Sequence, residues 1–233
     1  MSDEMFHSGH RERLKERFLD DKLTDYEQLE LLLSYAIPRR DVRPLARKLE
    51  KHFGGVYYVF TAEYDELIAV PGVGRTTAIL IKLVCSLMLI NHKNKLRYES
   101  VFANQKDLEE FCRLQVAGKT TEELHVLYLN GNFCLVDHEV NSKGSIDESA
   151  VYATHIMKRA LKDGIKNIVL LHNHPATDNT FSHADIEFTQ SLEDALNLCG
   201  LRLYDHYVLS GGIFHSMRAE YLLNRSSFNN KKN

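Results

Sequence analysis

Cysteine is sparse in this sequence. The four cysteines, Cys85, Cys112, Cys134 and Cys199, are scattered, and no two form a CxxC pair. That excludes a disulfide framework and a zinc knuckle of four thiolates, and makes a reducing cytoplasm the expected home. Long apolar runs are also lacking: none reaches the roughly 18–20 residues that a membrane span needs, so no membrane association is expected. The opening stretch, MSDEMFHSGHRERLKERF, is polar and charged, which is not the pattern of a secretory signal. Neither sign of charge is in excess. The net charge is -3, and residues 1–100 carry 16 Lys+Arg against 15 Asp+Glu. Bulk attraction to nucleic acid is therefore excluded, and any such binding has to come from local geometry. There is no internal repeat and no low-complexity tract.

What is present is a chain of 233 residues, 44% apolar and 26% charged, enough to bury a core in two domains of ordinary size. Residues 7–92 read as helical. Leu29, Leu32, Leu33 and Ala36 form a stripe that Pro38 ends, and a second helix starts near Pro44 and closes at Gly54-Gly55. Residues 93–106 are polar and without period, which predicts a linker or a first docking segment. After residue 120 the texture changes. ELHVLYLN and GNFCLVDHEVN predict a hairpin about Asn130-Gly131. A helix to Gly164, a buried strand KNIVLLHNH, a helix to Gly200 and the strand LRLYDHYVLS follow. The expected class is α+β: an all-helical domain over 1–92, a linker over 93–106, an α/β domain over 107–228 and a frayed tail over 229–233.

The chemistry concentrates in LLHNHPATDNTFSHADIEF, residues 170–188. Alternate residues of a strand face the same way. His172 and His174 therefore project together from the carboxyl end of a strand, the edge where α/β sheets place ligand sites. Asp185 lies eleven residues after His174, one turn into the next helix. Two imidazoles and a carboxylate make a three-ligand set, and zinc in a catalytic role keeps its fourth position for water, whose pKa it lowers towards about 7. Such a site needs a base and a donor for the developing oxyanion. Ser182, three residues before Asp185, is the donor candidate. Ser182 and Asp185 also fit a helix N-cap, and the serine can serve both purposes. Glu122 and Glu123 are the candidates for the base. His206 is either a partner behind a ligand or a strand histidine satisfied by a backbone carbonyl. His155, His183 and His215 read as surface residues.

The ordered set Glu–(gap)–His-x-His-Pro-x6-Ser-x2-Asp resembles the signature of the JAMM (MPN) metalloprotease domains. GHRERLKERF, ELHVLYLNGN, GSIDESAVYATHIMKRAL, IVLLHNHPATDNTFSHADIEFTQSL and YDHYVLSGG, in that order, resemble one bacterial branch, the RadC family, over nearly the whole chain. The resemblance implies a helical domain ending in a helix-hairpin-helix, then a JAMM/MPN (cytidine-deaminase-like) domain with one zinc ion per chain. By motif match it makes His172, His174 and Asp185 the ligands, Ser182 the oxyanion partner and Glu122 the base, on the alignment of E-x-x-x-V-L-Y-L. Two stretches depart from the family pattern. Pro-Ser-Gly-Asp-Pro-Thr-Pro is here Pro175-Ala-Thr-Asp-Asn-Thr-Phe181, and Pro-Arg-Glu is Ala153-Thr154-His155. Both leave the ligand set intact and bear on the shape of the substrate loop.

In the helical part, Pro71-Gly72-Val73-Gly74 between two helices resembles the hairpin of a helix-hairpin-helix. Gly72 and Gly74 permit a tight turn whose N–H groups, with the helix start at Arg75 and Thr76, offer an anion nest for a DNA phosphate without base contact. Lys82 and the cluster Arg39, Arg40 and Arg43 are possible additions to it. Two functions follow as expectations. One is a zinc-dependent hydrolase of an amide or isopeptide bond, acting on an unidentified protein or peptide. The other is a DNA-associated repair or recombination protein whose zinc site is structural.

Overall fold

Thr24 starts the first well-packed helix, because its hydroxyl accepts the N–H of Glu27 while the Glu27 carboxylate accepts the N–H of Thr24, a capping box. In the computed structural model, which describes residues 3–103, 105–140, 149–175 and 180–220, this helix is α2 (Asp25–Ala36). It follows α1 (Asp3–Leu19) and precedes α3 (Arg43–Phe53), α4 (Val56–Thr61), α5 (Tyr64–Ala69) and α6 (Arg75–Tyr98). The chain divides into two units, Met1–Met88 and Leu89–Asn233.

The first unit packs Leu29 and Leu33 of α2, Ala46 and Leu49 of α3, Val59, Leu67 and Val73, and Ala78 and Ile81 of α6 into one buried cluster. Each fully buried aliphatic side chain contributes roughly 1.5–3 kcal/mol. Leu29 and Leu33 of the expected stripe are in the core, and the Gly54 stop holds, with φ 83 after α3. Gly72 has φ 106, a backbone conformation that favours glycine, and a Cβ there would meet Leu45 Cδ1 at 3.2 Å. The Lys82 ammonium donates to the Ala62 carbonyl at 2.9 Å. Arg43 is paired with Asp41 at 2.7 Å.

Helix α6 runs on through residues 93–98 of the segment expected as a linker or first docking segment. The helix continues to Tyr98 because Leu89 and Leu96, seven residues apart, pack on the second unit's core. On the same face His92 Nδ1 lies 2.8 Å from Asp107 Oδ1, and Lys95 donates to that carboxylate at 3.1 Å. A polar composition hid a two-leucine stripe. Among the described residues this is also the one helix that is long and apolar enough, by length and composition, to cross a membrane. It buries Ala78, Ile81 and Leu96 within the protein.

The second unit contains α7 (Gln105–Val116), β1 (Leu124–Leu129), β2 (Leu135–Val140), α8 (Ser149–Lys162), β3 (Asn167–His174), α9 (His183–Leu198), β4 (Arg202–Ser210) and β5 (Ile213–Ser216). The strands form one sheet in the order β2-β1-β3-β4-β5, antiparallel except for the pair β3–β4. Leu127, Leu129, Val169 and Leu171 face a cluster with α7. Val126, Tyr128, Ile168 and Leu170 face the opposite cluster, with α8 and α9. The architecture is therefore α+β. The β1–β2 hairpin forms as expected, but not on a two-residue turn. Asn130 and Cys134 close a longer loop, its side-chain oxygen accepts from Asn132 and Cys134, and the left-handed residue is Phe133, φ 60, not Gly131. The expected boundary at 228 and the tail 229–233 lie outside the described residues.

Candidate metal centre

All eight residues of β3 are buried, since α helices cover both sides of the sheet. His172 and His174 end the strand on the α8/α9 side, continuing the row Ile168 and Leu170. Asp185 reaches them from α9, whose start is fixed by a second capping box. Ser182 Oγ accepts the Asp185 N–H at 3.1 Å, and Asp185 Oδ2 accepts the Ser182 N–H at 2.7 Å. Ser182 is thus the N-cap, and its hydroxyl keeps its own proton to donate. The same bonds aim the Asp185 carboxylate back across the helix start towards β3.

The three side chains converge. His172 Nε2 is 2.6 Å from His174 Nε2, His172 Nε2 is 3.4 Å from Asp185 Oδ1, and His174 Nε2 is 3.4 Å from Asp185 Oδ2. One donor atom of each lies within 4.8 Å of the others, and all three residues are buried. Zinc with bonds of about 2.0–2.1 Å in tetrahedral geometry spaces its ligand atoms about 3.4 Å apart. Each histidine meets a different oxygen of Asp185 at that spacing, Oδ1 for His172 and Oδ2 for His174, and the His–His edge is shorter. Two imidazole nitrogens this close repel unless a proton or a cation lies between them. The residues fit a divalent ion of the nitrogen-and-oxygen class.

Behind His172 a chain of hydrogen bonds fixes which nitrogen carries the proton. Thr189 donates its hydroxyl proton to the Asp185 carbonyl at 2.5 Å, so its oxygen accepts from His206 Nδ1 at 2.7 Å. His206 Nε2 is then the acceptor for the Nδ1 proton of His172 at 2.9 Å. The His172 Nε2 lone pair is left pointing at the convergence point. Burial, above all, holds both rings neutral. It pushes His172 down to about 4, with Asp185 opposing and His174 assisting, and it pushes His206 well below its ordinary value. Neutral imidazole is the form that binds metal.

His206 corrects the expectation of a strand histidine satisfied by a backbone carbonyl. The pairing of β3 with β4 shifts between Ile168↔Leu203 and Val169↔Asp205. The extra residue, Tyr204, reverses the facing of everything after it, which turns His206 to the α9 side. Of the other histidines, His183 is exposed and its side chain lies 3.3 Å from Glu187, as expected of the surface. His155 Nε2 lies 3.4 Å from Glu139, and His215 Nδ1 lies 3.3 Å from Glu220.

The two glutamates ahead of β1 differ. Glu123 is committed elsewhere: its carboxylate lies 3.5 Å from Lys119 Nζ and 3.2 Å from His125 Nε2. His125 is buried on the α7 side, stacked on His138. Glu122 is exposed and stands two residues before Leu124, the partner of His172 in the β1–β3 ladder. Gly72, Gly74, Arg75 and Thr76 lie on the exposed turn and first residues of α6, in the other unit. The segment 176–179 of the loop that departs from the family pattern lies outside the described residues.

The comparisons with known proteins point the same way. Residues 102–222 match the family model described as the RadC-like JAB domain. The chain is 33% identical over 225 residues to the UPF0758 protein FN0909 of Fusobacterium nucleatum, an alignment that spans 92% of this chain and 97% of that protein.

Proposed function

The chain belongs to the RadC family, and from that premise we propose that it is a zinc-dependent hydrolase of amide or isopeptide bonds. One observation carries the reading: His172, His174 and Asp185 bring their donor atoms together in a buried site at the carboxyl end of β3. A zinc ion held by these three would supply a Lewis acid and a water of lowered pKa. The chain's own groups complete the reaction. Glu122 takes a proton from the attacking water and returns it to the leaving nitrogen. The C–O bond forms first, leaving the negative charge on the carbonyl oxygen, and the C–N bond breaks as that oxyanion collapses, so a carboxylic acid and an amine leave. Ser182, held by its capping bonds, donates its hydroxyl proton to the oxyanion that develops on the carbonyl oxygen. Glu122 is preferred to Glu123 because it is exposed and stands two residues before Leu124, the ladder partner of His172, whereas the Glu123 carboxylate is engaged by His125.

The helical unit would be a helix-hairpin-helix that contacts DNA through phosphates, with Gly72, Gly74, Arg75 and Thr76 at the contact. The support is the exposed turn with a left-handed Gly72 just ahead of a 24-residue helix. A reading that keeps the DNA and drops the chemistry makes the same metal site structural. Glu122 separates the two, because a structural ion needs no base. Metal analysis paired with a screen of peptides and isopeptides is the test. Glu122→Gln is expected to keep zinc and abolish cleavage, and unchanged cleavage removes Glu122 from its role. For the DNA arm, salt-dependent affinity for duplex or branched DNA is expected to be lost in Gly72→Val/Gly74→Val, and its survival removes the turn.

A further inference from the structure

We propose that Asn173, the residue between the two histidines, is a positioning residue for the base, on the reading that Glu122 is that base. Asn173 is only 3% exposed, and strand alternation turns it away from the side of His172 and His174. Both ends of its carboxamide bond to the backbone just ahead of β1. Oδ1 accepts the N–H of Glu123 at 2.9 Å, and Nδ2 donates to the carbonyl of Thr121 at 3.0 Å. These two backbone groups flank Glu122.

The regular pairing of β1 with β3 ends at Leu124↔His172. Beyond it, the Asn173 side chain takes over the work of the ladder for residues 121–123. The pair fixes an otherwise exposed segment to the strand that carries His172 and His174. The chemistry selects asparagine. An aspartate accepts but does not donate, a leucine does neither, and a glutamine is one methylene longer. His172-Asn173-His174 is then a single device, in which the outer residues hold the ion and the middle one sets the base relative to it. Displacing a catalytic group by about 1 Å costs on the order of 100-fold in rate, so the two bonds matter to turnover more than to stability.

The test uses the zinc-loaded full chain and zinc-dependent hydrolysis of 4-nitrophenyl acetate, with zinc affinity measured by chelator competition and amide exchange followed at Glu123. Asn173→Ala is expected to lower the hydrolysis rate constant roughly 10- to 100-fold. Zinc affinity should stay within about twofold, since no bond to the ligands is removed, and the Glu123 amide should exchange faster. Asn173→Asp keeps the Glu123 bond but sets an oxygen against the Thr121 carbonyl, so it too should be slower than the wild type. Asn173→Ala/Glu122→Gln should be no slower than Glu122→Gln alone, because nothing is left to position. A wild-type rate in folded Asn173→Ala beside an inactive Glu122→Gln overturns this proposal alone. So does a slowdown that multiplies in full onto Glu122→Gln, or a Glu123 amide that exchanges as in the wild type. A wild-type rate in Glu122→Gln removes the base itself, and the role of Asn173 with it.

Discussion

At His172 the useful lone pair depends on a residue two strand positions and one helix away. The run Thr189, His206, His172 is ordered because each hydroxyl or ring has one proton to give, and burial forbids a second on the rings. Replacing His206 by Ala, or Thr189 by Val, is expected to weaken zinc binding about 10- to 100-fold without unfolding the chain. Chelator competition and circular dichroism read the two effects separately, and unchanged affinity in both variants refutes the relay. His206 was visible in the sequence as a histidine in a strand, but its facing was not. One inserted residue, Tyr204, decides it, and a bulge inside an apolar run leaves no mark on composition. Asn173 was equally hidden, because its partners are backbone groups fifty residues upstream.

Among the elements, α9 carries the clearest double duty. Its first turn is a capping box, and the same serine and aspartate are the oxyanion donor and third ligand of the proposed reaction. The two duties of Ser182 separate by substitution. Ser182→Ala is expected to lower the unfolding free energy by about 1 kcal/mol, whereas Ser182→Gly costs a few tenths through the cap. Both should lose turnover to the same degree, because neither retains the hydroxyl. Activity that tracks melting temperature across the pair instead would leave Ser182 a cap alone. The strand-loop-helix frame of this site was legible because its signals are local: an apolar run, a turn-rich loop, then Ser182-x-x-Asp185. Helix α6 was legible at its start and not at its end. Its last turns are held by Leu89 and Leu96 against residues far along the chain, and only the folded unit shows that contact.

Across the whole molecule, the second unit buries titratable groups that set its behaviour in acid. Burial lowers His125 to about 4 and His138 to about 3, with Lys119 adding to the first and His125 to the second. In the unfolded chain both take up protons near 6.5. Between those values the unfolded state holds more protons than the folded one, so stability is full above about pH 6.5 and declines as the pH falls towards 4. Melting temperature against pH should show that decline, and His125→Gln/His138→Gln should reduce its slope, the remainder coming from His172 and His206. An equal slope in the double variant contradicts the assignment. The α+β class was legible from texture alone, since strand composition begins only after residue 120. The division into two units was not, because it falls inside a continuous helix. The most direct measurement of the central claim is the metal content of the purified full chain, wild type beside His172→Ala/His174→Ala/Asp185→Ala. One zinc ion per wild-type chain, lost in the folded triple variant, is the expected result. A wild-type chain that takes up no stoichiometric ion, or a triple variant that keeps it, contradicts the claim.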